Sequence, residues 1–351
     1  MEDPRSRNCP HPLDELLFVA ISAITSGAED WVTVTKWARF KLDWLRRYLP
    51  FDNDIASHDT WWMQQLCPSL VGALIPIDGK SVRGSQNGIF GMAHLVSAWH
   101  SDAGLVLGQV KTAVKSNEIT AIPELLDALD VKGATITMDA MGCQHKIVEK
   151  IIAKQADYIV AVKNNQQLLA QAVEAVFTEV DVGVREGRLQ ENITVDKDHG
   201  RLETRRCVVT QDLGGMGVLA QAWPGLKSVI MIESTREFIN GREKARSKGK
   251  PSTDWRYYIS SHTFDASEFN RKVRAHWSIE NSCHWVLDVS FREDDCRIRT
   301  GDGAENFAIL RRIAMNMIKQ EKSTKTSFNI KRLQAGWSTD YLETLFGLRA
   351  A

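Results

Sequence analysis

Two acidic residues follow short apolar runs, where carboxylates could hold divalent metal ions. Asp78 comes directly after residues 74–77, and Asp139 comes directly after residues 134–138. Carboxylates at strand ends are held rigidly at an open rim of a sheet. Their hard oxygens suit a pair of Mg²⁺ or Mn²⁺ ions, which promote phosphodiester cleavage by activating the attacking hydroxyl and stabilising the leaving oxygen. The alternatives are an ordinary turn at Asp78 and a helix cap at Asp139.

A third acid lies on a predicted helix that carries a polar stripe. His276, Glu280, His284 and Asp288 are spaced by four residues, so they share one helix face. This pattern makes Glu280 the candidate third metal ligand. Two alternatives remain: a zinc site formed by His276, Glu280 and His284, although the H-E-x-x-H order is absent, and a polar face without metal.

The elements that must position these acids follow a recognisable order. Apolar and turn patterns predict strands at 74–77, 94–99, 104–110, 134–138 and 157–162, with helices at 116–129 and 144–154. Three strands, helix, strand, helix, strand is the order of an RNase H-like core, an α/β fold with a mixed five-stranded sheet and flanking helices. This order would bring Asp78 and Asp139 side by side.

The rest of the chain divides around this core. Residues 13–49 have helical periodicity with a break at Gly27, and the chain is helical again from Ala266. We therefore predict a helical N-terminal module at 1–70 and the first part of the core at 71–163. An insertion, mixed and mainly β, follows at 164–262, and residues 263–351 form the helical completion of the catalytic core and a basic C-terminal region.

Composition excludes several classes of protein. Hydrophobic residues make up 43% and charged residues 25% of 351 residues, which is ordinary for a globular protein. No apolar run is long enough to cross a membrane and no signal peptide is recognisable, so the expected location is the cytoplasm. Six scattered cysteines without a C-x-x-C pair argue against a disulfide framework and a cysteine zinc site.

Charge alone does not identify a nucleic-acid-binding protein here. The chain has 44 basic and 44 acidic residues, whereas such proteins more often carry a positive excess. Basic residues cluster locally at 242–250 and at 311–349. The second cluster contains Arg311, Arg312, Lys319, Lys322, Lys325, Lys331, Arg332 and Arg349. Either cluster could contact DNA or be solvated surface.

Several motifs, in order along nearly the whole chain, resemble those of the H-repeat-associated (ISAs-type) insertion-sequence transposases of the DDE superfamily. They are IDGKSVRG at 77–84, HLVSAW at 94–99, KSNEI at 115–119, TMDAMGCQ at 137–144, DYIVAVK at 157–163, HGR at 199–201 and HWSIEN at 276–281. The resemblance implies an RNase H-like DDE transposase that catalyses metal-dependent DNA strand cleavage and strand transfer. It also implies insertion-sequence ends and target DNA as partners, with a homodimer on paired ends and association with the nucleoid.

The resemblance assigns roles to individual residues. It implies that Asp78, Asp139 and Glu280 are catalytic and hold two Mg²⁺ or Mn²⁺ ions. The residues implied to support the site or to contact DNA phosphates are Lys80, Arg83, Lys163, His276, Asn281 and His284. Two roles are compatible with Lys115, Asn117 and Gln144: support of the site or phosphate contact, as above, or contacts that hold loops together.

One departure from the family pattern leaves other functions open. The segment between Thr60 and Asp78 is shorter than the resemblance leads us to expect. A degraded copy that binds DNA without cutting it is therefore the alternative function. A general nuclease of the same fold is a third possibility, and the DNA that each protein cuts would distinguish them.

Overall fold

A computed structural model describes residues 12–51, 70–87, 91–112, 118–198, 201–238, 251–299 and 302–348. The described strands form one mixed sheet of nine strands. They are β1 Leu74–Asn87, β2 Gly91–His100, β3 Leu105–Lys111, β4 Thr135–Met138, β5 Asp157–Val162, β6 Gln190–Asp198, β7 Arg201–Thr210, β8 Ser228–Phe238 and β9 Ser252–Ser260. Their order across the sheet is β3-β2-β1-β4-β5-β9-β8-β7-β6.

Thirteen α-helices lie within the described ranges. They are α1 Leu13–Thr25, α2 Trp31–Phe40, α3 Leu42–Leu45, α4 Glu118–Ala128, α5 His145–Ala153, α6 Gln167–Val176, α7 Val180–Arg185, α8 Val218–Ala222, α9 Ala266–His276, α10 Trp285–Val289, α11 Gly303–Gln320, α12 Phe328–Trp337 and α13 Thr339–Leu345. Within these ranges, no helix is both long and apolar enough to cross a membrane.

The first five strands have the predicted connectivity. β1, β2 and β3 form an antiparallel meander, and β4 and β5 run parallel to β1 after the crossover helices α4 and α5. β4 is buried along its whole length because it lies between β1 and β5 and is covered on both faces, so its sequence is continuously apolar or threonine. α4 packs its apolar face on this sheet, with Ala121, Ile122, Leu125 and Leu126 recurring at helical spacing.

β1 is longer than the sequence indicates. The apolar run predicted a strand that ends before Asp78, but β1 continues to Asn87 because β2 pairs with it over that stretch. β4 stops pairing with β1 at Ile77. Asp78 therefore lies inside a strand, at the point where one of its two neighbouring strands ends.

The predicted five-stranded sheet is too small. β9 pairs antiparallel with β5, with Val160 opposite Ile259, so the strands between 164 and 262 continue the same sheet to nine strands. These four strands are 9 to 11 residues long. In β7 the apolar half ending at Thr210 is buried, whereas the half that begins at Arg201 is more exposed, which hides the strand pattern in a run of charged residues.

The N-terminal and C-terminal helices share one apolar core. α1 packs against α11, and the Trp31 and Phe307 rings meet edge to face with centroids 4.8 Å apart. α2 begins at Asp30, whose carboxylate accepts the Thr33 backbone N–H at 2.7 Å, and the predicted break at Gly27 has φ +105°. Residues 12–51 and 302–348 thus form a continuous helical layer.

The basic C-terminal cluster is only partly surface. Four of its members, Arg311, Arg312, Lys331 and Arg332, are buried and hydrogen-bond to the protein itself. The aliphatic stem of a basic residue can pass through the core so that its charged end reaches an acceptor. Whether a residue of this cluster is buried therefore depends on its position on the helix and not on its charge. The 242–250 cluster and Arg349 lie outside the described residues.

Candidate active site

Two neighbouring parallel strands position Asp78 and Asp139. Ile77 of β1 lies opposite Met138 of β4, and each aspartate is the next residue along its strand direction. The Asp78 side chain is 22% exposed. Asp139 is exposed and also caps the 3-10 turn that follows it, since its Oδ1 accepts the Met141 N–H at 2.8 Å. Asp139 therefore caps this short turn at the sheet rim, whereas α5, the next α-helix, has Gln144 at its N-cap position.

The polar stripe of the predicted helix faces these strands. His276 Nδ1 hydrogen-bonds to Thr137 Oγ1 of β4 at 2.8 Å, and His284 Nδ1 lies 3.5 Å from Asp78 Oδ2. Asp288 Oδ1 lies 2.7 Å from the Nζ of Lys80 on β1. Three stripe residues thus contact β1 or β4 directly, whereas the remaining member, Glu280, is exposed.

The helix is not regular through this region. α9 ends at His276, and a π-helical turn spans Glu280–His284 before α10 begins at Trp285. A π turn adds about one residue per turn and is found frequently at functional sites. The sequence predicted a regular spacing of four through this segment, and the structure has a wider turn at Glu280.

Electrostatics link the three predicted acids. Burial, together with the negative charges of Glu118, Glu280 and Asp139, raises the pKa of Asp78 to about 7, against a smaller opposing effect of the Gly79 backbone hydrogen bond. Burial also raises the pKa of Glu280; the charge of Asp139 adds to this effect and the charge of Arg256 opposes it. The three carboxylates therefore repel one another across a shared space.

Glu118 is a fourth acid at this site, and sequence reasoning missed it. Its Oε1 lies 2.9 Å from His94 Nε2, and His94 Nδ1 lies 2.9 Å from Ser81 Oγ. A Cβ on Gly79 would overlap the Glu118 carboxylate and the His94 ring, so a larger residue there would displace these side chains. Glu118 lies within a quoted family motif, but an acid in the first turn of a helix is common, and no spacing pattern connects it to Asp78.

The two stripe histidines are neutral. Burial lowers the pKa of His276 to about 4. Burial and the nearby positive charges of Arg312 and Lys80 lower the pKa of His284 to about 4, against a smaller effect of Glu293. His284 Nε2 is buried without a hydrogen-bond partner among the described residues. Both rings are therefore neutral at neutral pH; His276 hydrogen-bonds to Thr137, whereas His284 approaches Asp78 at 3.5 Å.

The donor set fits a hard divalent cation. As the side chains stand, no three His, Cys, Asp or Glu residues in the described ranges are grouped as metal ligands, including the zinc alternative of His276, Glu280 and His284. The carboxylates of Asp78, Asp139 and Glu280 supply only hard oxygens. Burial first, and then repulsion from Glu118, Glu280 and Asp139, raises the pKa of Asp78. A divalent cation among them would offset that repulsion.

Lys80 belongs to an internal ion cluster rather than to an open phosphate site. Its side chain is 9% exposed, and its Nζ lies 2.7 Å from Asp288, 2.8 Å from Asp294 and 3.6 Å from Glu293. Glu293 and Arg312 are fully buried and pair at 2.8 Å. This cluster fixes the segment after α10 against β1.

The other predicted support residues lie on the surface around the rim. Arg83 is exposed, with its Nε 3.3 Å from Asp294 Oδ2. Lys163 is exposed and follows β5, which is parallel to β4, so it lies at the same end of the strands as Asp139. Asn281 is exposed beside Glu280. Lys115 and Asn117 lie outside the described residues, and Gln144 donates a weak hydrogen bond to the Met141 carbonyl at 3.4 Å.

Comparison with known proteins identifies close relatives. The family model described as "Transposase DDE domain" matches residues 71–317, and one described as "DDE_Tnp_1-associated" matches residues 1–64. The "Putative transposase YncI" of Escherichia coli O157:H7 is 39% identical over 95% of this chain and 88% of that protein. The "H repeat-associated putative transposase YhhI" of Escherichia coli strain K12 is 38% identical over 95% of this chain and 92% of that protein.

Among solved structures, a piggyBac transposase synaptic complex with hairpin DNA matches 99% of this chain and 76% of that chain. The sequence identity is 11% and the TM-score is 0.42, which is too low to support an argument.

Proposed function

Because the chain belongs to the transposase DDE domain family, and to its H-repeat-associated members in particular, we propose that it cleaves and transfers the DNA strands of an insertion sequence. The observation that supports this proposal is that Ile77 and Met138, the residues before Asp78 and Asp139, pair on neighbouring strands, and that His276 joins the helical segment of Glu280 to β4. The strand order β3-β2-β1-β4-β5 supports an RNase H-like core as the frame.

In this proposal Asp78, Asp139 and Glu280 hold two Mg²⁺ or Mn²⁺ ions. When bound, the ions would lower the pKa of the attacking hydroxyl and neutralise the charge that develops on the phosphate. The chain's own part is to hold three carboxylates in a rigid arrangement. β1 and β4 fix the two aspartates, and the π turn fixes Glu280.

Neighbouring residues keep these acids in position. Neutral His284 lies against Asp78, and the hydrogen bond between His276 and Thr137 fastens the end of α9 to β4. Lys80 binds Asp288 and thereby fastens α10 to β1. We propose that these three are positioning residues, whereas the exposed Lys163, Arg83 and Asn281 would contact a phosphate, Arg83 in exchange for its exposed ion pair with Asp294.

Substitution of the acids tests the proposed site. We expect Asp78→Asn, Asp139→Asn or Glu280→Gln each to reduce strand cleavage by about a thousandfold or more, since ligands that act as a unit fail together. The assay is cleavage of a labelled fragment that carries the element's ends, in Mg²⁺ or Mn²⁺. Binding to the same fragment should largely survive, because the acids do not attract DNA.

Asp130→Asn is the matched control. Asp130 is exposed and precedes β4, so it lies at the opposite end of this strand from Asp139, and cleavage should be unchanged. Full cleavage by any variant of the three acids would refute the site. Wild-type protein that binds the ends but nicks them in neither metal would instead support a non-catalytic DNA-binding protein, and cleavage of DNA without those ends would support a general nuclease.

A further inference from the structure

A cleft lined by arginines opens beside Glu280. It has a volume of about 410 Å³ and lies between β7, β8 and β9 of the sheet and the end of α9. Its basic residues are Arg201, Arg205, Arg236, Arg256 and Arg274. Trp277 and Asn281 line it on the helix side, so one wall is the segment that carries Glu280.

The cleft is the open end of a sheet face that is otherwise covered. Alternate residues of β7 share one face, and Cys207 and Val209 are buried on it with Phe269 and Val273 of α9. Arg205 and Arg201 continue the same alternation toward the start of β7. The face therefore changes from apolar to arginine-rich where the apolar side of α9 ends.

The positive charge of the cleft is only partly compensated. Arg256 pairs with Asp254 at 2.9 Å, and Arg274 pairs with Asp196 at 2.9 Å. Glu203 is the one acidic residue that lines the cleft, and it lies 3.6 Å from Arg201. Arginines thus outnumber acids along the cleft wall, and two of the five arginines have no ion pair of their own within the described residues.

Those two arginines are also incompletely hydrogen-bonded. Arg205 is 6% exposed, and its Nε has no hydrogen-bond partner in the described part of the chain; the same is true of the buried Nε of Arg236. Burial lowers the pKa of Arg205. Tyr258 and Glu203 oppose this effect, whereas the positive charges of Arg274 and Arg256 add to it. A buried guanidinium without acceptors is costly, and an anion that enters the cleft would supply them.

The cleft adjoins the proposed catalytic acids. Asn281 lines it and is the residue after Glu280, and the charge of Arg256 acts on the Glu280 carboxylate. Arg256 also lies over the Trp277 ring, 4.8 Å from its centroid. A strand whose phosphate lay at Glu280 would therefore have a basic cleft beside it.

We propose that this cleft binds the phosphodiester backbone of the DNA strand that continues past the phosphate at Glu280. The inference rests on the proposed function, and it assigns a binding site to strands β7–β9. Guanidinium groups match phosphate oxygens in a bidentate manner, and this contact is independent of base sequence. In this proposal, strands β7, β8 and β9 form a DNA-binding surface beside the catalytic acids.

The test is a double variant, Arg201→Gln with Arg236→Gln, measured by fluorescence anisotropy on a fragment with the element's ends at several salt concentrations. EDTA is present, so no cleavage is required. We expect Kd to rise by about tenfold or more at moderate salt. The slope of log Kd against log salt should fall by about one to two, since each lost phosphate contact removes about one released counterion. Arg236→Lys alone should retain most of the binding.

Arg206→Gln is the matched control. Arg206 is the next residue after Arg205 but lies on the opposite sheet face, where its Nη2 is 2.6 Å from Asp181 and its Nε is 2.5 Å from Glu191. Its loss should leave Kd unchanged. Wild-type affinity and salt slope in the double variant would overturn the proposal, as would equal weakening by Arg206→Gln. Polyglutamate that binds through Arg201 and Arg236 and that DNA does not displace would also overturn it.

The outcome is separable from that of the proposed function. Arg201 is exposed and Arg236 is half-buried, so both variants should fold, which thermal unfolding followed by circular dichroism checks. If the double variant binds normally while Asp78→Asn abolishes cleavage, the cleft proposal fails alone. If binding depends on the cleft but the wild type never cuts, the proposed function fails alone.

Discussion

At the scale of single residues, Asp78 is the most perturbed acid of the site. It is largely buried, and the charges of Glu118, Glu280 and Asp139 all reach it. Crowding of carboxylates is unfavourable for folding, because each raises the free energy of its ionised neighbours. Such an arrangement is typical of sites where a cation or a proton must be held, so the repulsion itself points to function.

Glu118 should therefore contribute to cation affinity. We predict that Glu118→Gln raises the Mg²⁺ concentration for half-maximal strand cleavage by about tenfold, since one nearby carboxylate is worth about 1.4 kcal/mol. Glutamine keeps an acceptor for His94, so the local structure should persist. Magnesium titration of the cleavage rate measures this.

The control for Glu118 is Glu124→Gln, an exposed acid on the same helix α4. This variant should leave the magnesium dependence unchanged. An unaltered half-maximal concentration in Glu118→Gln would show that the fourth acid has no part in the cation site.

At the scale of secondary-structure elements, Glu321 joins three C-terminal helices. It follows α11 directly, its Oε2 lies 2.8 Å from Lys331 of α12, and it accepts the Tyr341 hydroxyl of α13 at 3.0 Å. Thr324 N–H also donates to its Oε1 at 2.9 Å. Burial favours the neutral acid, but the hydrogen bond from Lys331, followed by those from Ser323, Thr324 and Tyr341, lowers the pKa of Glu321 to about 2.

This pKa predicts a pH-dependent stability. The folded-state pKa is below the ordinary 4.5, so the stabilisation is fully present above pH 4.5 and is lost as the pH falls toward 2. Glu321→Gln should lower the free energy of unfolding by about 1–3 kcal/mol at pH 7, and the difference should shrink progressively below pH 4.5. Urea unfolding at pH 7, 4.5 and 3 measures it.

Glu186→Gln provides the comparison for Glu321. Glu186 forms an exposed ion pair with Arg188 at 2.7 Å, and exposed pairs contribute little to stability. A Glu321→Gln effect that was equally large at pH 3 and at pH 7 would contradict the assigned cause.

At the scale of the whole molecule, the two ends of the chain fold together. The Trp44 Nε1 donates to Glu343 at 2.9 Å, and α1 packs against α11 and α12. The same core reaches Trp99 of β2 and Val106 of β3, so the helical layer rests directly on the sheet. The predicted boundaries at 70, 163 and 262 therefore separate segments that share one sheet or one core.

We predict that this shared core unfolds as a unit. Phe307→Ala should lower the free energy of unfolding by about 3–5 kcal/mol, because Phe307 is fully buried against Trp31. Tryptophan fluorescence and far-ultraviolet circular dichroism should report the same transition in urea. Phe40→Ala, at an 83% exposed position, should change little. Two separate transitions in the wild type would contradict the single unit.

The sequence by itself determined the family and the order of the first five strands, and it is the source of the proposal for the three acids. β4 and β5 are buried along their lengths, so their apolar runs are visible without any partner, and the residue after β4 is Asp139. The acids could be predicted because strand patterns and family motifs are both recognised from residues that are adjacent in the chain.

Only the tertiary structure decided which distant residues meet. No spacing predicts that Glu118 lies at Asp78, that Lys80 is enclosed by three acids, or that half of the basic C-terminal cluster is buried. The full length of β1 and the extension of the sheet to nine strands depend on pairing between strands far apart in the chain. Strand pairing and the overlap of side chains from separate elements are long-range properties, and a pattern read along one chain contains only short-range ones.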